Sequence, residues 1–203
     1  MPAALTETHS ATDAALATRL AGGQAEALDP LYRRHRGLIY RFALLWSGSS
    51  AVAADVAQDV FLHLLTHAGD FDPARAPLPS WLLGIARNFV RRRAGIPATD
   101  PLGDAAEIPP PGEVRTPETE LGAKRDLDRL HRAIAALPPH YRDAVVLVEL
   151  AERSYAETAA ICGCELNTVR SRLARGRALL AQWLDVDREA RSAPFVSNPS
   201  MKS

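Results

Sequence analysis

The chain has 203 residues and a mass of 22.0 kDa, room for one large domain or two small ones. With 47% hydrophobic and 24% charged residues it has the balance of a globular protein, and its longest apolar runs, such as Val145–Val148, fall far short of the roughly 20 residues of a membrane span. Bases and acids both number 24, but this neutrality hides an uneven distribution: residues 94–123 hold one base, Arg115, against six acids.

The bases concentrate in two runs without an internal acid, Arg87, Arg91, Arg92 and Arg93, then Arg170, Arg172, Arg175 and Arg177. Cys162 and Cys164 stand too close together to staple a small secreted fold, and a metal framework needs more ligands. They read as small buried hydrophobes. The N-terminus lacks a basic stretch followed by an apolar one, so a cytoplasmic protein is expected. No metal-ligand spacing, catalytic triad or Gly-rich phosphate loop is visible, so neither an enzyme nor a bound cofactor is expected.

Both compact parts read as helical, because apolar positions recur at three and four and no alternating run is bounded by hairpin turns. After a flexible N-terminus (1–12), a first domain is expected over 13–94. Asp29-Pro30 reads as a cap and first-turn pair opening a helix through Leu31, Leu38 and Phe42. Gly48-Ser49-Ser50 ends that helix and caps the next, which runs from about Ala51 to His67 and buries Val56, Val60 and Leu64. Its opposite side carries Asp55, Gln58, Asp59 and Leu62. A leucine among acids suits a protein-binding patch, with docking against another helix of the same domain as the equal alternative. The following helix, Trp81 to about Arg93, is expected to bury Leu82, Ile85, Ala86 and Phe89 and to expose Ser80, Gly84, Arg87 and Arg91, with Asn88 alongside. This face and the preceding loop, Gly69–Arg75, suit phosphates and an unstacked base, or else form a solvated Arg stripe.

Residues 95–123 form an acidic linker, kept extended by Pro97, Pro101, Pro109, Pro110, Pro111 and Pro117. A second domain is expected over 124–188, before a flexible tail (189–203). Leu127, Leu130, Ile134 and Leu137 form one helical stripe, stopped by Pro138-Pro139. Ser154 and Glu157 have the spacing of a capping box, Gly163 supplies a tight corner, and a second helix starts near Leu166: the layout of a DNA-binding helix–turn–helix. Leu166, Val169, Leu173, Gly176 and Leu180 share its buried side. Asn167, Thr168, Ser171 and Arg175 face away, with Arg170 and Arg172 on the flanks, an arrangement fit to read base edges and grip phosphates.

Three stretches resemble bacterial sigma factors of the sigma-70 family, of the small extracytoplasmic-function (ECF) type. Asp55-Val-Ala-Gln-Asp-Val-Phe61 is similar to the family's region 2.2 helix. Phe71-Asp-Pro and Trp81-Leu-Leu-Gly-Ile-Ala-Arg-Asn88 resemble the promoter-melting part of region 2. Leu137-Pro-Pro-His-Tyr-Arg142, Ser154-Tyr-Ala-Glu-Thr-Ala159 and Thr168-Val-Arg-Ser-Arg-Leu-Ala-Arg175 resemble region 4. The resemblance implies an all-α protein of two small helical domains joined by the Pro-rich acidic linker. It implies that Asp55, Gln58, Asp59 and Leu62 contact the clamp helices of the largest subunit of RNA polymerase. Arg87, Asn88 and Arg91 would engage the minus-ten promoter element, and Thr168, Arg170, Ser171, Arg172 and Arg175 the minus-thirty-five element. The linker would occupy the polymerase's RNA exit and active-site channels, and an anti-sigma factor would hold the protein inactive. Val52 and Ala54 replace acids usual in the family, and Phe89-Val-Arg-Arg-Arg93 lacks the usual residues before its basic pair. The alternatives are an autonomous helix–turn–helix regulator, which should carry a strand–helix receiver domain, and a sigma mimic that sequesters an anti-sigma factor.

Overall fold

A computed structural model describes residues 11–96 and 122–192, with side chains for 11–96 and 126–185. The expected flexible N-terminus (1–12), linker (95–123) and tail (189–203) lie largely outside the described residues. Among the described residues the only regular elements are helices.

Helix α1 (Asp13–Ala21) is capped by Thr12, whose hydroxyl accepts from the Ala15 amide. Its first-turn Asp13 also accepts from Arg34 at 2.9 Å and pairs with His35 at 2.7 Å, which ties α1 to α2 (Leu28–Ser47). Asp29 does not cap α2. A short 3-10 turn, Ala25–Ala27, leads straight into the helix at Leu28, and Asp29 pairs instead with Arg33 one turn on. Pro30 still sits in the first turn, where a missing N–H costs nothing. Gly48 ends α2 in the left-handed region at φ 69°, and the Ser49 hydroxyl accepts from Val52 N–H to cap α3 (Ser50–His67). Helix α4 spans Leu78–Arg93 and so begins three residues before Trp81.

The second half contains α5 (Gly122–Ala136), α6 (Pro139–Val145), α7 (Tyr155–Cys162) and α8 (Leu166–Ser192). Pro139 occupies the first turn of α6, which continues as a five-residue π-helical segment, Val146–Leu150.

The two halves share a core. Leu16, Leu31, Ile39, Phe42, Trp46, Val56, Val60, Leu64, Leu82 and Ala86 are fully buried, and Ile134, Val146 and Leu147 of the second half belong to the same cluster. A smaller cluster of Leu137, Val145, Leu173 and Trp183 holds α5, α6 and α8 together. Two details differ from the periodicity. Leu127 is exposed, because the stripe meets its partners only from Leu130 onward, and Trp183 is buried as an extra anchor of α8.

At Gly176, α8 passes so close to α6 that an added Cβ would lie 2.7 Å from Val145 Cγ2 and 3.4 Å from the Tyr141 carbonyl oxygen. Gly176→Ala gains about 1 kcal/mol of helix propensity but overpacks this crossing at a cost of ~1–3 kcal/mol. The expected outcome is a lower melting temperature of the full chain by circular dichroism.

Candidate polymerase and nucleic-acid interface

The helix–turn–helix is built as its sequence dictates. Ser154 and Glu157 form the reciprocal capping box, Gly163 turns the corner at φ 64°, ψ 41°, and α8 starts at Leu166. Val169 and Leu173 are buried on one side of α8, and Leu166 and Leu180 are half-buried. Asn167, Arg170, Ser171 and Arg175 are exposed on the other, with Thr168 and Arg172 half-buried at its edges. Local bonds order this face. Arg170 donates to Asn167 Oδ1 at 3.3 Å, the Ser171 hydroxyl to the Thr168 carbonyl at 3.0 Å, and Arg175 to the Tyr141 hydroxyl at 3.4 Å. Arg177, the last of the basic run, pairs with Glu149 of the π-helical segment and is thereby drawn off the reading face.

On α3, Asp55, Gln58 and Leu62 are exposed, Leu62 at 52%. Asp59 is partly buried and accepts from Arg93 at 2.5 Å, so one acid of this face is tied to the end of α4. An adjoining groove of about 630 Å³ is lined by Leu28, Tyr32, Tyr40, Gln58, Phe61 and Leu62. No described helix covers it, which favours an external protein partner over docking inside the domain.

Helix α4 departs furthest from expectation. Ser80, Arg87 and Arg91 are buried, not exposed, whereas Ile85 and Phe89 are only half-buried. The second half of the chain lies on the predicted open face. Asp143 of α6 takes Arg87 Nε at 2.7 Å and Arg91 at 3.0 Å on one carboxylate oxygen. Its other oxygen accepts from Trp46 Nε1 at 2.7 Å. Burial works against the Arg87 charge, but Asp143 outweighs it and raises the Arg87 pKa. Neighbouring Arg142 lies over the Trp46 ring, 4.5 Å from its centroid, and donates to the Trp46 carbonyl. Burial chiefly lowers its pKa, to about 10, with Asp143 opposing and Arg91 reinforcing. Asn88 remains exposed.

A second tie runs beside the first. The Ser80 hydroxyl donates to Glu157 Oε1 at 2.6 Å, so the capping-box carboxylate of α7 also bridges the halves. Burial would raise the Glu157 pKa, but hydrogen bonds from Ser80 and Ser154 and the charge of Arg153 hold it below its ordinary value. Beside this second tie lies a cleft of about 630 Å³, lined by Asp72, Trp81, Gly84 and Asn88 on one side and Glu157 and Ile161 on the other. Gly84 opens onto space, since a Cβ there would meet nothing within 4 Å.

Asp143 and Trp46 were not singled out by the sequence. One available signal was the lone carboxylate of Asp143 beside the apolar run Ala144–Leu147. Cys162 and Cys164 are both free and partly buried, which departs from a purely apolar role. A hydrogen bond from Cys162 lowers the Cys164 pKa to about 6 against the effect of burial, with help from Arg172 and Arg87. The Cys162 thiol is pushed up by that bond and by burial.

A model of sigma-70 region 2 matches residues 31–94, and one of sigma-70 region 4 matches residues 127–180. Together these cover more than half of the chain, which belongs to the sigma-70 family. Within it, the chain is an ECF RNA polymerase sigma factor. It is 36% identical over 179 residues to the ECF RNA polymerase sigma factor SigM of Mycobacterium tuberculosis, covering 87% of this chain and 86% of that one. It is 30% identical over 189 residues to the RNA polymerase sigma factor CnrH of Cupriavidus metallidurans, covering 87% and 96%. Among solved structures, CnrH in complex with the cytosolic domain of CnrY is similar at a TM-score of 0.66 and 26% identity, over 86% of this chain and 98% of that one. RpoE in complex with the anti-sigma factor NepR from Bartonella quintana is similar at 0.55 and 29%, over 75% and 93%. No helix among the described residues is long and apolar enough to cross a membrane.

The low Cys164 pKa makes this thiol largely thiolate at neutral pH, so iodoacetamide should label it in preference to Cys162. The labelling rate should rise through about pH 6 before it levels off, and Cys164→Ser should remove the fast phase seen by mass spectrometry.

Proposed function

We propose that this sigma factor mounts on core polymerase through the outer face of α3, with Asp55, Gln58, Asp59 and Leu62 against the clamp helices of the largest subunit. Arg87, Asn88 and Arg91 on α4 serve the minus-ten element, and Thr168, Arg170, Ser171, Arg172 and Arg175 on α8 read the minus-thirty-five element. The protein works in the cytoplasm as a dissociable initiation factor and catalyses nothing itself. The observation that carries this reading is α8. Its apolar side is buried, which leaves a short polar face of Asn, Thr, Ser and Arg suited to base edges and phosphates in a major groove. Exposed Asp55, Gln58 and Leu62 of α3, beside an apolar groove, supply steering and burial for a helical partner. Control by an anti-sigma factor is supported by the similar sigma factor RpoE, solved in complex with the anti-sigma factor NepR.

Run-off transcription with and without core enzyme tests the whole reading. Specific transcripts are expected only when both are present, and tight sequence-specific binding of the isolated chain to promoter DNA would refute it. Asp55→Lys should abolish transcripts and co-elution with core while the circular dichroism melt stays unchanged. Arg175→Ala should cost ~1–3 kcal/mol on the cognate minus-thirty-five sequence, the worth of a bidentate base contact, and little on a mismatched one. An equal loss on both would make Arg175 a phosphate contact.

A further inference from the structure

We infer that Cys162 and Cys164 form a reversible oxidation site in the corner of the helix–turn–helix: a hydroperoxide converts the pair to a Cys162–Cys164 disulfide, and the closed corner turns α8 off its promoter sequence. The effect on α8 rests on the reading of that helix as the minus-thirty-five reader; the chemistry at the two sulfurs does not.

The backbone places the pair. Cys162 is the last residue of α7, and Gly163 follows in the left-handed region at φ 64°, ψ 41°. These angles are close to the mirror image of an α-helix, so the Cα atoms on either side of Gly163 lie about 5.4 Å apart, the spacing of helical residues i and i+2. Disulfides span about 4.4–6.8 Å between Cα atoms. The turn thus holds the cysteines within bonding range before any reaction, and their sulfurs already meet in a hydrogen bond. The corner is also open. An added Cβ at Gly163 would meet nothing within 4 Å, and both cysteines are only partly buried, so a small peroxide reaches them.

The surroundings give the two sulfurs different tasks. Cys162 donates to Cys164, and the charges of Arg172 and Arg87 add to that bond against burial and the charge of Asp143, so Cys164 is the thiolate and Cys162 the thiol. An accessible thiolate beside a protonated partner is suited to peroxide sensing. The same two arginines disfavour a metal cation, which needs both sulfurs deprotonated in a positive setting.

The Cys164 thiolate attacks one peroxide oxygen. The O–O bond breaks, its electron pair leaves with the other oxygen, which takes a proton from water, and Cys164 becomes a sulfenic acid. The Cys162 sulfur then attacks the Cys164 sulfur. The S–S bond forms as the S–O bond breaks, and the departing hydroxide takes the Cys162 proton and leaves as water. Two electrons have passed from the sulfurs to the peroxide. So small a ring is strained and easily reduced by a thiol, which suits a reversible mark.

The change reaches α8 directly. Glu165 follows Cys164, and its carbonyl accepts from the Thr168 and Val169 amides at the start of α8. Drawing Cys164 onto Cys162 shortens a hydrogen bond to a covalent bond of about 2.05 Å and re-aims that start. It also removes the negative charge beside Arg172. Hydrogen bonds to base edges weaken steeply when distance and angle are lost.

The chain holds no other cysteine, so mass spectrometry reads the site directly. After exposure to hydrogen peroxide and removal of the excess, the full chain should be monomeric, lighter by two hydrogens and inert to iodoacetamide, with dithiothreitol restoring it. Cys162→Ser, which keeps a hydroxyl donor to Cys164, should instead accumulate a sulfenic acid that dimedone traps. Cys164→Ser should resist the same dose. In run-off transcription with untreated core, the oxidised wild type should give a yield about tenfold lower, the loss of one good base contact, and dithiothreitol should restore it. The double variant Cys162→Ser, Cys164→Ser should be unaffected by the treatment. Disulfide-linked dimers, or a wild type that stops at an oxygenated Cys164, overturn the pair as the site. A disulfide with an unchanged yield overturns the effect on α8. Arg175→Ala in the same assay then shows whether α8 reads the promoter at all, which separates the two failures.

Discussion

One buried carboxylate sets the relation between the two halves of this protein. Asp143 lies on the inner side of α6, with its oxygens shared among the Trp46 indole and the Arg87 and Arg91 guanidinium groups. A charge so placed tolerates few alternative positions. Removing one partner from such a group costs about 3–5 kcal/mol, because the others are left buried and uncompensated. The apolar part of the contact, where Val146 and Leu147 join the core of the first half, supplies area without direction. The hydrogen bonds supply the direction, and they decide which surface of α4 is covered.

The two helices proposed to meet DNA consequently differ. Helix α8 owes its exposed face to contacts inside its own domain: Val169 and Leu173 are buried, Gly176 lets it approach α6, and Trp183 anchors its far end. That arrangement does not depend on the first half. The face of α4 is conditional, since its arginines are exposed only if α6 and α7 move away. Helix α3 is open on its outer side, while its inner side shares the core with α4 and Asp59 pairs with Arg93.

Where local rules govern, the sequence was legible. The Gly48-Ser49 boundary, the Ser154–Glu157 capping box, the Gly163 corner and the buried stripe of α8 depend on residues within a few positions of one another, and each was found where expected. Legibility failed where partners are distant. Asp29-Pro30 has the form of a cap, yet the preceding 3-10 turn moves the helix start to Leu28. Arg177 belongs to a run without acids in sequence, yet Glu149 reaches it across the fold.

The residues alone determined that the chain is helical and where most helices begin and end. Periodicity and capping carry that information because they act within one or two turns. Only the tertiary structure decided that Ser80, Arg87 and Arg91 are buried while Asn88 and the α8 arginines are not. Asp143 and Arg87 are 56 residues apart, and Trp46 and Asp143 are 97 apart, so no local pattern records their meeting. An arginine stripe looks the same in sequence whether water, DNA or a carboxylate from another domain lies against it.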